Sequence, residues 1–113
     1  MSNSIQAKGN THVIPAGTTS ANVANVATST NTFNFLNASS SVYAYVGVFN
    51  TYASAAAMTH PAAGTPGPGV PIAPNQTATI TGDFGINPNP GTVYVAAITS
   101  TGTTNVFATP ITP

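Results

Sequence analysis

β-Branched and aromatic residues recur along this chain in runs too short for helices, each bounded by Gly, Pro, Asn or Ser, and this constrains the fold more than any other feature. The runs cover residues 5–8, 11–14, 21–26, 32–37, 41–50, 76–81, 92–99 and 103–109. About eight short strands with turns between them predict an all-β chain folded as a β-sandwich with jelly-roll-like order. The 113 residues fit a single domain spanning 1–113.

Alternation within the runs predicts which faces are buried. In 76–81, Ala78 and Ile80 share one face and Thr77, Thr79 and Thr81 the other, as a half-exposed strand requires. In 41–50, Val42, Ala44, Val46 and Val48 oppose Tyr43, Tyr45 and Phe49, so neither face is polar. In 92–99, Val93, Val95 and Ala97 oppose Tyr94, Ala96 and Ile98. Strands of that kind are central or have an outer face that meets a partner. Residues 100–102 supply a turn and 106–108 the returning arm of a hairpin. Residues 53–58 suit a single helical turn. The Pro- and Gly-rich stretch 60–74 (HPAAGTPGPGVPIAP) predicts a long surface loop with no regular element and a candidate contact surface. A second Pro-rich turn is expected at 87–91.

Formal charge is confined to Lys8 and Asp83, 2% of the residues where a soluble domain carries about 25%. One lysine cannot neutralise the several phosphates that nucleic-acid binding requires. Paired-carboxylate catalysis, cysteine zinc sites and thiol chemistry lack their residues, since Glu, Arg and Cys are absent. Disorder is not implied, because hydrophobic residues reach 42% and net charge is zero. Area scaling predicts roughly 5,700 Å² of folded surface against about 16,000 Å² extended, enough burial for one modest core. With so little charge to keep copies apart, the composition suits a protein docked in an assembly.

The opening MSNSIQAK lacks a basic region followed by an apolar stretch, and no run approaches a membrane-spanning length. Synthesis in a cytoplasm, with no membrane partner, is the expectation. Asn37-Ala-Ser39 and Asn75-Gln-Thr77 match the glycosylation triplet, as chance allows in an Asn- and Thr-rich chain.

Residues 5–14 (IQAKGNTHVI), the strand pair around Phe35 and Val46, the 68–74 segment (PGVPIAP) and the closing 91–109 stretch together resemble small structural proteins of tailed bacteriophages. Within that group the pattern is most similar to capsid decoration, or cement, proteins with a jelly-roll-like fold. The resemblance implies many copies on the outside of a virion, made in the host cytoplasm. Each copy would bind the major capsid protein and its neighbours and reinforce the shell against internal DNA pressure.

Candidate chemistry is sparse. His12, His60 and Asp83 match the residue types of a two-histidine, one-carboxylate metal site, but lone turn and surface residues account for them more simply. Ser and Thr abound without a Gly-x-Ser-x-Gly elbow, and the prolines of GTPGPG (64–69) remove donors that a phosphate loop needs. No enzyme activity, cofactor or metal is expected. Thr28-Ser-Thr30-Asn-Thr32, Thr79-Ile-Thr81 and Thr99-Ser-Thr101-Gly-Thr103 raise an ice-binding row, though their spacing is irregular. Tyr43, Tyr45 and Tyr94 are expected on one face of adjacent strands, first as core, then as a protomer interface, then as a carbohydrate platform.

For contacts, residues 1–14 are expected to form an extended arm that adds a strand to a neighbour or to the capsid protein, through Ile5, Ala7, His12, Val13 and Ile14. The tyrosine-bearing faces and the loop residues Pro68, Val70 and Ile72 come next. Self-association as a dimer or trimer is expected. The runner-up is a phage tail, fibre or adhesin module that binds glycans, and the third reading is an ice-binding protein.

Overall fold

A computed structural model of the chain describes residues 9–27, 30, 32–82 and 92–111. These residues form eight strands and one short helix: β1 (His12–Ala16), β2 (Asn22–Ala27), β3 (Thr32–Asn37), β4 (Ala44–Phe49), α1 (Tyr52–Ala56), β5 (Val70–Ile72), β6 (Thr77–Thr81), β7 (Thr92–Ile98) and β8 (Thr104–Pro110). The strands build two antiparallel sheets, ordered β1-β8-β3-β6 (sheet I) and β2-β7-β4-β5 (sheet II).

The pairing is nested. Strand β1 pairs with β8, β2 with β7, β3 with β6 and β4 with β5. A single long hairpin bent over itself gives this pattern, and the β3–β8 and β4–β7 pairings then knit it into two layers. The result is the eight-stranded jelly roll, in agreement with the fold class expected from the runs.

The core lies between the sheets. Sheet I contributes Ile14, Ala16, Phe33, Phe35, Val106 and Ala108, and sheet II contributes Val26, Ala44, Val46, Ile72, Val93, Val95 and Ala97. Phe33 and Phe35 are fully buried with ring centroids 6.1 Å apart. Each such aromatic contributes roughly 1.5–3 kcal/mol of apolar burial.

Proline placement follows from its missing N–H. Pro15 lies on the edge strand β1 and Pro71 on the edge strand β5, while Pro110 closes β8 at its end. Strand β5 corrects the expectation that 60–74 holds no regular element. An edge strand needs main-chain donors on one side only, so Pro71 can sit opposite Tyr45 while Val70 and Ile72 flank it in the ladder. The 100–102 turn is as expected: Gly102 has a φ of 70° and its carbonyl accepts from Thr99 Oγ1 at 2.6 Å. The Pro-rich turn expected at 87–91 and the run at 5–8 lie outside the described residues.

Candidate interaction surface

The two outer faces of the sandwich differ in who covers them. On sheet II the outer face carries Tyr45, Gly47 and Phe49 from β4 beside Ile98, Ala96 and Tyr94 from β7. The chain covers that face itself. Thr51 caps α1, its Oγ1 accepting from Ser54 N at 3.2 Å, and the helix sets Ala55 onto the sheet with Met58 close behind. Ala55, Met58, Ala96, Ile98 and Ala21 form a second buried cluster, with Val23, Tyr45, Phe49 and Tyr94 packed around it. Gly47 makes room: a Cβ there would stand 2.7 Å from the Phe49 ring and 3.2 Å from Met58 Sδ.

This resolves the two strands that lack a polar face. Tyr45 and Tyr94 are half-buried parts of the second cluster, Tyr45 lying beside His60 (6.1 Å between centroids) and Tyr94 taking Tyr52 edge-on at 6.1 Å. Tyr45 aligns with Ile98, whereas Tyr94 aligns with Phe49, so the two rings occupy opposite ends of the face. Tyr43 precedes β4 and is 52% exposed. The three tyrosines do not make one platform. Tyr52, 62% exposed, is an aromatic that the alternation of the strands does not single out.

The outer face of sheet I is open. Its middle row runs Val13, Phe107, Leu36 and Thr77 across all four strands. Val13 is 52% and Leu36 37% exposed, with Phe107 half-buried between them. A parallel row runs Thr11, Thr109, Asn34 and Thr79, with Thr11 and Thr109 hydroxyls hydrogen-bonded at 2.7 Å. An apolar stripe bordered by hydroxyls and amides therefore crosses a sheet face that no described segment of this chain covers, and no Lys, Arg, Asp or Glu occurs among the described residues.

Of the expected contact residues, Val13 lies on this stripe. Ile5 and Ala7 fall outside the described residues. His12, half-buried, and Ile14, 1% exposed, belong to β1 and pair with Ala108 and Val106 of the same chain. Residues 12–14 are thus an integral strand of sheet I, which limits any arm to residues upstream of β1. Pro68 is exposed, Val70 is 40% exposed on the β5 edge, and Ile72 is core. Leu36 and Phe107 were missed, although each breaks phase in its own strand: Leu36 follows the inward Phe33 and Phe35, and Phe107 sits between inward Val106 and Ala108.

Beside this face, a shallow groove of about 520 Å³ opens where β1 ends, β8 begins and the 38–40 turn passes. Its lining is small, hydroxyl and amide side chains such as Ser39, Ser40, Thr103 and Asn105. Asn37 lies under it, fully buried, so the first glycosylation triplet offers no accessible acceptor in the folded chain. His12 belongs to sheet I and His60 packs on the outer side of sheet II, so the two histidines sit in different layers; Asp83 lies outside the described residues. Among the described residues no group of three His, Cys, Asp or Glu side chains could hold a metal. The Thr-x-Thr motifs do not form one exposed row: Thr30 donates to the Ile111 carbonyl at 2.8 Å, Thr32 is 3% exposed and Thr99 is fully buried, whereas Thr79, Thr81, Thr101 and Thr103 are exposed.

No protein-family model, curated protein or solved structure matches the chain.

Proposed function

We propose that this protein is a non-enzymatic structural component of a bacteriophage virion that decorates the outside of the capsid, binding the major capsid protein through the outer face of sheet I. The observation that carries this reading is the Val13–Phe107–Leu36 stripe on an open, uncharged sheet face. Its companion face is covered by α1 and Met58, whereas no described segment of the chain covers the sheet I face, which supports a partner there. Jelly rolls serve in viral shells and in lectins alike, so fold alone does not choose. What favours the shell is the lack of charge together with the sequence resemblance, because docking by apolar burial and shape suits a permanent lattice site.

Two measurements test this. Copy number in purified virions should run to hundreds per particle, on the order expected of a lattice-wide component, and a handful of copies would point to a tail or fibre instead. Attachment to isolated shells should persist from low salt to about 1 M NaCl, since screening weakens charge pairs and not apolar burial. Release of most copies at high salt overturns the proposal.

A glycan-binding module is the second reading, favoured by Tyr52 standing exposed against Tyr94. Binding on a glycan array that is lost in Tyr52→Ala and kept in Leu36→Ser would select it.

A further inference from the structure

We propose that the outer edge of β6, which no described segment of this chain covers, pairs with β6 of a second copy, joining the two copies of sheet I into one continuous eight-stranded sheet. The inference stands independently of what the outer face binds.

A sandwich of this topology has four edge strands, β1 and β6 in sheet I and β2 and β5 in sheet II. Exposed edges invite pairing with other chains, and proteins usually block them with Pro, Lys, bulges or covering segments. Strand β1 carries Pro15, whose carbonyl also accepts from the Asn22 side chain of β2, tying those two edges together at one side of the sandwich. Strand β2 is further flanked by α1. Strand β5 carries Pro71. Strand β6 reads Thr77-Ala-Thr-Ile-Thr81, with no Pro, no Gly and no charge.

The register shows which main-chain groups β6 offers. Asn37 N donates to the Gln76 carbonyl at 3.0 Å, so Gln76 faces β3. Main-chain groups alternate in direction along a strand, and by that alternation Ala78 and Ile80 also face β3. Those of Thr77, Thr79 and Thr81 face away from the sheet. The side chains of the same three threonines lie exposed on the outer face, with Ala78 and Ile80 half-buried toward the core.

The occupant follows from the sequence of the edge. Run antiparallel to itself about a two-fold axis at Thr79, the segment sets Thr79 opposite Thr79, Thr77 opposite Thr81, and Ala78 opposite Ile80. Outward main-chain groups then meet outward groups, for roughly six hydrogen bonds. Threonine pairs, favourable across antiparallel strands, line the outer side, and a small residue meets a large one on the inner side. The segment is therefore self-complementary, as a two-fold interface requires. No like charges oppose each other anywhere along it.

The test uses the full chain and its mass in solution, by light scattering over about 1 to 500 μM, a range spanning weak and tight dimers. The wild type should rise from 11.2 kDa to twice that value. Thr79→Lys and Thr79→Glu place like charges against each other at the two-fold axis, so each alone should stay at 11.2 kDa. An equimolar mixture of the two should regain the doubled mass, because the ammonium of one copy then meets the carboxylate of the other. Val13→Lys, on the same face at the far edge, should dimerise like the wild type. If either charged variant fails to fold, Thr79→Cys decides: directly opposed residues sit about 5.5 Å apart between Cα atoms, within disulfide range, and the native chain has no cysteine. Mild oxidation should cross-link Thr79→Cys covalently and leave Thr109→Cys without a cross-link, as read on a denaturing gel. A wild type that stays monomeric throughout, charged variants that still dimerise, a folded mixture that does not recombine, or equal cross-linking at 79 and 109 overturns the proposal. Loss of shell attachment in Thr79→Lys, with a monomeric wild type, would assign the edge to a capsid strand instead and overturn it as well.

Discussion

Asn37 Oδ1 accepts a hydrogen bond from Thr104 Oγ1 at 2.7 Å, fixing the end of β3 to the start of β8 inside the sandwich. The same amide accepts from Ser39 N at 3.1 Å and donates to the carbonyls of Val42 at 2.7 Å and Ile72 at 2.9 Å. One fully buried side chain thus ties both sheets together at one end, with every amide donor and acceptor engaged. Ser39 extends the knot, its Oγ accepting from Ser41 N and Val42 N.

Asn37→Ala leaves the buried Ile72 carbonyl and the partly buried Val42 carbonyl without their amide donor and should cost about 2–4 kcal/mol in urea unfolding. Asn37→Asp should cost at least as much, because it turns an oxygen toward those same carbonyls. Thr104→Val removes one donor at constant shape and should cost only about 1 kcal/mol. Equal losses for Thr104→Val and Asn37→Ala would show that the amide is not the centre of the knot.

Gly47→Val should loosen the cover over sheet II. Its Cβ would overlap the Phe49 ring at 2.7 Å and crowd Met58 Sδ at 3.2 Å. Overpacking of this kind costs about 1–3 kcal/mol. Limited proteolysis should then cut faster in the segment that follows α1 than in the wild type, while the sheet I face stays intact.

Val13→Ser and Leu36→Ser probe the open stripe. Val13 is 52% and Leu36 37% exposed, so each substitution removes only partial apolar burial and should cost no more than about 1–2 kcal/mol of stability, leaving the fold intact. Shell attachment of the double variant should fall by at least about tenfold, equivalent to about 1.4 kcal/mol. Unchanged attachment would move the docking site elsewhere.

Truncation separates an arm from a strand. Deleting residues 2–8 leaves β1 whole, whereas deleting through Ile14 strips most of β1 from β8 and a core side chain from between the sheets. The longer deletion should abolish the cooperative unfolding transition, seen by circular dichroism on heating. If it melts like the wild type, β1 contributes nothing to the fold.

What the sequence revealed follows from how locally each feature is written. Alternation is local, so β3 could be read from Phe33 and Phe35, and β6 from Ala78 and Ile80. Strand β5 was hidden because Pro71 looks like a strand breaker unless its strand is known to be an edge, and edges are set by topology. The apolar outer side of β4 and β7 was legible in Tyr45 and Tyr94, but what covers it was not. That cover comes from Ala55 and Met58, whose contact with Ala96 is tertiary. The open stripe is assembled from single residues on three strands, Val13, Phe107 and Leu36, and only the register brings them into line.

The nested pairing has one more consequence. Because β1 lies against β8, with His12 opposite Ala108, both ends of the folded unit leave from neighbouring points on one rim. A short linker from the end of β8 back to β1 would close the chain into a ring, which could be reopened in the exposed 62–66 stretch without severing any of the eight strands. Such a circular permutant would carry its new termini between α1 and β5 and present a fused cargo from that connection.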